Sequence, residues 1–128
     1  MFLFSMQKTN FLKSVKYALL GLAHGISTER NIKIQMVIGL GIIILSLLLQ
    51  ISRIEFILII MVTFLVLSFE LGNTALEKLL DRIHPDFDKD IGHVKDIMAG
   101  AVLLIVVLSM IVGLAILFEP FMTAMHLF

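Results

Sequence analysis

Three apolar stretches, residues 34–51, 54–71 and 99–118, dominate the chain. Each is about 18–20 residues long, the length of helix that crosses a hydrocarbon core of about 30 Å. The first is interrupted only by Gln35, Ser46 and Gln50, and the third carries no charge. Lipid offers no hydrogen-bond partners to a backbone, so helices are the expected spanning structure. A chain of 128 residues that is 59% hydrophobic and 16% charged has too little interior to hide that surface from water. The bilayer is its natural solvent, and the length fits one integral-membrane domain over residues 1–128.

The segment before the first stretch has a different pattern. Phe11, Val15, Leu19 and Leu22 recur at helical spacing, and Lys13 and Lys16 lie off that stripe. This predicts an amphipathic helix, about residues 8–24, lying in the membrane surface. Its lysines fall inside and after the first apolar residues, so it does not read as a cleaved signal peptide. A break is expected within "HGISTERN", residues 24–31, where Gly25 loosens the chain, and Ser27 or Thr28 is expected to cap the next helix. The expected spans are then about 31–51, 54–71 and 97–118. The second is expected to continue as a helix to residue 83, where Pro85 disfavours helix at His84. A new helix is expected to begin near His93 or Val94.

Charge placement predicts an orientation. Lys8, Lys13, Lys16, Arg30 and Lys33 precede the first span, and Lys78, Arg82, Lys89 and Lys95 lie between the second and third. Only Arg53 lies between the first and second. The positive-inside rule puts the N-terminus and second loop in the cytoplasm and the C-terminus outside. The formal net charge is zero, which gives no argument for a nucleic-acid partner. The absence of cysteine excludes disulfides, thiolate metal sites and a Cys nucleophile. Asp86, Asp88 and Asp90 alternate as in a calcium loop, but Gly92 is one place late and Ile97 stands where the closing Glu belongs. With His84 and His93 flanking it, this segment reads as a solvated turn.

The polar residues at the cytoplasmic edge need a reason. Glu70, Asn73, Glu77 and Asp81 follow at steps of 3, 4 and 4, one face of a helix. Glu70 falls at the end of an apolar run barely long enough to span, where an ionisable side chain costs about 2.5–3.5 kcal/mol on insertion scales. Glu29 stands at the start of the first span, where it either favours the helix dipole or joins Glu77 as a seat for Mg²⁺. Lys95 and Asp96 open the third span from the same edge. Acids, an amide and a lysine at one level suit a metal–nucleotide site better than an ion pore, which prefers rings of one sign. No Walker motif and no D-F-G occurs.

"ELGNTALEKLLD", Glu70 to Asp81, resembles the pattern E-x-x-N-[ST]-A-[IL]-E-x-x-x-D of the prokaryotic diacylglycerol kinase family. "VKDIMAGAVLL", Val94 to Leu104, is similar to the family's A-K-D motif, and "KYALLGL" and "TERNIKI" resemble its surface helix and first span. "TERN" resembles the undecaprenol kinase branch. The resemblance implies an all-α membrane protein: an N-terminal amphipathic surface helix plus three transmembrane helices, assembled as a homotrimeric bundle in the bacterial inner membrane. It implies ATP-dependent phosphorylation of a membrane lipid alcohol, undecaprenol in the first instance and diacylglycerol as the alternative. It further implies Glu70 as the base and Glu29 and Glu77 as holders of Mg²⁺. Asn73, Lys95 and Asp96 would bind phosphates or orient the base, and Lys13, Lys16 and Tyr17 would lie near nucleotide or headgroup. Asn10, where some members carry Arg, and Ala18, where diacylglycerol-specific members carry Ser, depart from the pattern. A non-catalytic small membrane trimer or a transporter is the reading outside enzymes, and the uncharged third span argues against a transport path.

Overall fold

The computed structural model of the chain describes residues 10–126. Within them the protein is all helix: α1 Phe11–Thr28, α2 Arg30–Leu48, α3 Arg53–Ile83 and α4 Lys89–Ala124. Helices α2, α3 and α4 are long and apolar enough to cross a membrane. A helix stands where the N-terminal one is expected, as α1, with the first two expected positions, 8 and 9, outside the described residues.

Helix boundaries follow local chemistry. Asn10 caps α1, its Oδ1 accepting from the Lys13 N–H at 2.9 Å. The break expected within residues 24–31 falls at Glu29, and α1 runs past its expected end at residue 24 to Thr28. Ser27 and Thr28 do not cap α2; both hydroxyls donate back to the His24 carbonyl, at 3.1 and 2.7 Å. Glu29 alone, with extended backbone, separates α1 from α2 and serves as the N-cap of α2 without a side-chain bond. After α2, Gln50 takes a left-handed conformation, φ 54°, that turns the chain. Ser52 then opens α3 through a reciprocal capping box with Glu55, a Ser-x-x-Glu signature in the sequence.

Helix α3 has 31 residues and is therefore about 46 Å long. It outruns a hydrocarbon core of about 30 Å and continues unbroken to Ile83, as expected. Helix α4 starts at Lys89, four residues earlier than His93, because Asp88 caps it. The Asp88 carboxylate accepts from the Asp90 and Ile91 N–H groups at 2.9 and 3.1 Å. The connecting segment is thereby shortened to residues 84–88. The other Asp88 oxygen, Oδ2, lies 3.3 Å from His84 Nε2.

Helix α3 is the centre of the bundle, packed between α2 and α4. Ile59, Ile116 and Leu117 form the small core, with Ile42, Ile43 and Val112 against it. Gly39 sets the α2–α3 approach: a Cβ there would come 2.7 Å from Thr63 Cγ2. Thr63 has little freedom to retreat, since it is β-branched and its hydroxyl is bonded to the Ile59 carbonyl at 2.8 Å. Ser46 and Ser109 likewise return their hydroxyls to their own helices, at 2.7 Å each. Large apolar residues face outward along the spans, among them Val37, Leu48, Leu104 and Leu114. That surface is suited to lipid.

Two outcomes test this account. Gly39→Ala is expected to cost about 1–3 kcal/mol by overpacking, whereas Gly41→Ala, with nothing within 4 Å, stays near neutral; thermal unfolding in detergent reads both. The Ile91 N–H, foremost, holds the Asp88 carboxyl below its ordinary range. A depressed folded-state value means stabilisation that is full above the unfolded Asp range and is lost as pH falls through the lower folded value. Acidification through that window, or Asp88→Ala at neutral pH, is expected to lower the amide-exchange protection factors of Asp90 and Ile91.

Candidate active site

The polar cluster is built on the stretch of α3 that leaves the apolar core. Glu70 lies 17 residues after Arg53, about 26 Å along the helix axis, near the far boundary of a bilayer. Glu70 is 7% exposed and Asn73 is 9% exposed, so the first two members of the predicted face are buried. Glu77 and Asp81, further out, are exposed. The single face read from spacing is thus divided between the bundle interior and solvent.

Gln35 of α2 reaches Glu70, with its Nε2 at 3.5 Å from Oε2, the long end of hydrogen bonding. Beside it, Asn73 Oδ1 and Gln35 Oε1 are buried acceptors without a donor among the described residues. Orphaned buried acceptors are uncommon and mark places where a ligand, ion or water completes the structure. Gln35 also lines a groove of about 660 Å³ between α2, α3 and α4. The groove is almost wholly apolar and continues past Gly39 and Val62 to Leu117 and Phe121. Glu70 therefore sits where an apolar channel meets the polar end of the bundle.

Two ion pairs tie the helices together at that end. Lys78 Nζ lies 2.9 Å from Glu29 Oε1, joining α3 to the head of α2. Lys95 Nζ donates to Asp81 Oδ1, joining α4 to α3. All four side chains are partly or largely exposed, so each pair contributes at most about 1 kcal/mol. On the other side of Glu70, α1 docks through buried Gly25, where a Cβ would meet Leu71 Cδ2 at 2.8 Å.

The structure thus brings Glu29, Glu70, Asn73 and Lys95 onto contacting helices at one end of the bundle. Within the chain, Glu29 faces Lys78, and its contact is not with Glu77. Glu77 and Asp96 are exposed and form no ion pair among the described residues. Lys13 and Tyr17 are exposed on α1, with Tyr17 about 12 Å along the helix from Gly25. Neither side chain makes a hydrogen bond or ion pair to the cluster among the described residues. Gln35 and Lys78 were missed from sequence. Gln35 had a signal, as an amide within an otherwise apolar span.

The donor set fits a hard divalent cation. Glu77 and the unpartnered Asn73 Oδ1 are oxygen donors one helical turn apart, and Mg²⁺ asks for one or two carboxylates with phosphate and water oxygens beyond them. Among the described residues no three acids or histidines form a cage by themselves. Such a site is one that phosphates complete.

Three spanning helices with a buried carboxylate at one membrane boundary define a small multi-pass membrane protein with an interfacial polar site. The chain belongs to the prokaryotic diacylglycerol kinase family, a family of lipid kinases, whose profile matches residues 16–117. It is 33% identical over 117 residues to a diacylglycerol kinase of Synechocystis sp., covering 91% of this chain and 67% of the relative. It is 34% identical over 106 residues to an undecaprenol kinase of Bacillus subtilis, covering 83% and 86%. It is 32% identical over 110 residues to a diacylglycerol kinase of Haemophilus influenzae, covering 86% and 93%.

Proposed function

We propose that the protein transfers the γ-phosphoryl group of ATP to the hydroxyl of a membrane lipid alcohol, undecaprenol, at the cytoplasmic face of the inner membrane. The observation that carries this reading is the position of Glu70: a buried carboxylate at the junction of an apolar groove and a polar helix end. A lipid alcohol arrives through the first phase and a nucleotide through the second. In the reaction, the alcohol oxygen forms a bond to the γ-phosphorus as the bond from phosphorus to the β–γ bridging oxygen breaks. The hydroxyl proton passes to Glu70, and ADP leaves.

Phosphoryl transfer needs positioning and charge neutralisation more than covalent help. Glu29 and Glu77 are the carboxylates for Mg²⁺, which would neutralise phosphate charge. Asn73, Lys95 and Asp96 serve phosphate binding and orientation, and Lys13 and Tyr17 of α1 lie on the nucleotide or headgroup side. The ion pairs show what this would demand of the chain: Lys78 releases Glu29, and Lys95 exchanges Asp81 for phosphate. We take the active unit to be a homotrimer with sites completed between subunits, the N-terminus cytoplasmic and the C-terminus outside.

The acceptor is read as undecaprenol from the "TERN" motif and from Asn10 and Ala18, which depart from the diacylglycerol-specific pattern. Relatives bearing both names match at similar identity, which keeps diacylglycerol as the second reading. Purified protein with Mg-ATP, offered a C55 isoprenol and a diacylglycerol in parallel micelles, is expected to phosphorylate the isoprenol faster; the reverse ranking selects the second reading. Glu70→Gln is expected to lower turnover by about 10²–10⁴-fold, the usual worth of a general base, and wild-type turnover in that variant would exclude Glu70 from the role. Lys78→Met, which frees Glu29, is expected to lower the Mg²⁺ concentration for half-maximal rate, and Glu29→Gln to raise it.

A further inference from the structure

Gln35 joins the two halves of the site. It is the polar residue of α2 that touches Glu70, and it lines the apolar groove. An amide inside a spanning helix is costly unless its groups are bonded. Gln35 has only one of its two amide atoms engaged: Nε2 points to Glu70 Oε2, and Oε1 is buried without a donor. Asn73 Oδ1 is in the same condition, on the helix that carries Glu70. A glutamine that served packing alone would leave no such deficit, since an apolar side chain of the same length would fill the space without it.

We propose that Gln35 is a positioning residue for Glu70. Its Nε2–H fixes one carboxylate oxygen, Oε2, and so turns the other, Oε1, toward the hydroxyl of an alcohol whose chain lies in the groove. This rests on the reading of Glu70 as the base. The two side chains are 3.5 Å apart, and catalytic hydrogen bonds that are long in a free enzyme tighten in the complex. The Gln35 Oε1 is an acceptor at the groove, and a substrate hydroxyl, or a water carried in with it, is a donor able to meet it there. Thr63 and Ser109, the other polar side chains of the groove's wall, already have their hydroxyls bonded to their own helices. Gln35 thus carries the side-chain donor of the groove's wall that is not spent on its own helix.

The test compares wild type, Gln35→Met, Gln35→Asn and Glu70→Gln in one micellar assay with Mg-ATP and a C55 isoprenol. Met keeps the length and removes the donor; Asn keeps the amide and withdraws it by one methylene. Each variant is first checked for helix content and for thermal unfolding in detergent. Both glutamine variants are expected to lose about tenfold to a hundredfold in kcat, the worth of one hydrogen bond to a charged group, with KM for ATP changed less than about twofold. Should Met fail to fold, Asn alone decides. Folded variants with wild-type kcat overturn the role of Gln35, as does a loss confined to KM for ATP. A wild-type protein that phosphorylates no lipid alcohol removes the kinase reading, and this inference with it. Active wild type beside equally active glutamine variants removes this inference alone.

Discussion

A helix that is longer than the membrane is thick must carry its remaining turns into water, and the site depends on that mismatch. Helix α3 runs from Arg53 to Ile83 without a break. Its first turns are held by a capping box, and its middle packs against α2 at Gly39 and α4 at Ile116 and Leu117. With those turns fixed in the apolar layer, the side chains at Glu70 and Asn73 are placed at the boundary, and Glu77 and Asp81 beyond it. Had the chain turned at Leu71, no rigid element would have carried the same face through both phases.

Around this post the other helices are fastened by different means at different depths. Within the apolar layer the fastening is contact: glycine against threonine, isoleucine against isoleucine. At the polar end it is charge, Glu29 with Lys78 and Asp81 with Lys95. Contact cannot be exchanged without repacking, whereas an exposed ion pair is nearly free to open. The rigid part of the molecule is therefore its apolar layer, and the yielding part is its polar end.

Much of this was legible in the sequence. Apolar runs of spanning length gave the three spans, and the 3-4-4 spacing put Glu70 and Asn73 on one helix face. The continuation of α3 to Ile83 followed from the absence of any breaker before Pro85. The misses have local causes. The sequence reads Gly25 as loosening the chain, yet it is a helical contact point under Leu71, and a glycine in sequence does not distinguish the two. Ser27 and Thr28 were read as caps, but their hydroxyls found the His24 carbonyl first. The start of α4 was placed late because Asp88 was weighed as one of three alternating acids, when its two bonds to Asp90 and Ile91 are those of a cap. The partners of Glu29 and Glu70 could not be read at all. Gln35 and Lys78 are distant in sequence from the groups they meet, and only the way α2 lies on α3 brings them there.

The junction of α1 and α2 has a mechanical consequence. Between Phe11 and Leu48 the backbone leaves the helix at a single residue, Glu29. Any tilt of α1 relative to the span must therefore be absorbed by the torsions of that one residue, and its carboxylate swings as they change. A change in the tilt of α1 would in this way re-aim an acidic group at the polar end of the bundle through one rotating bond pair.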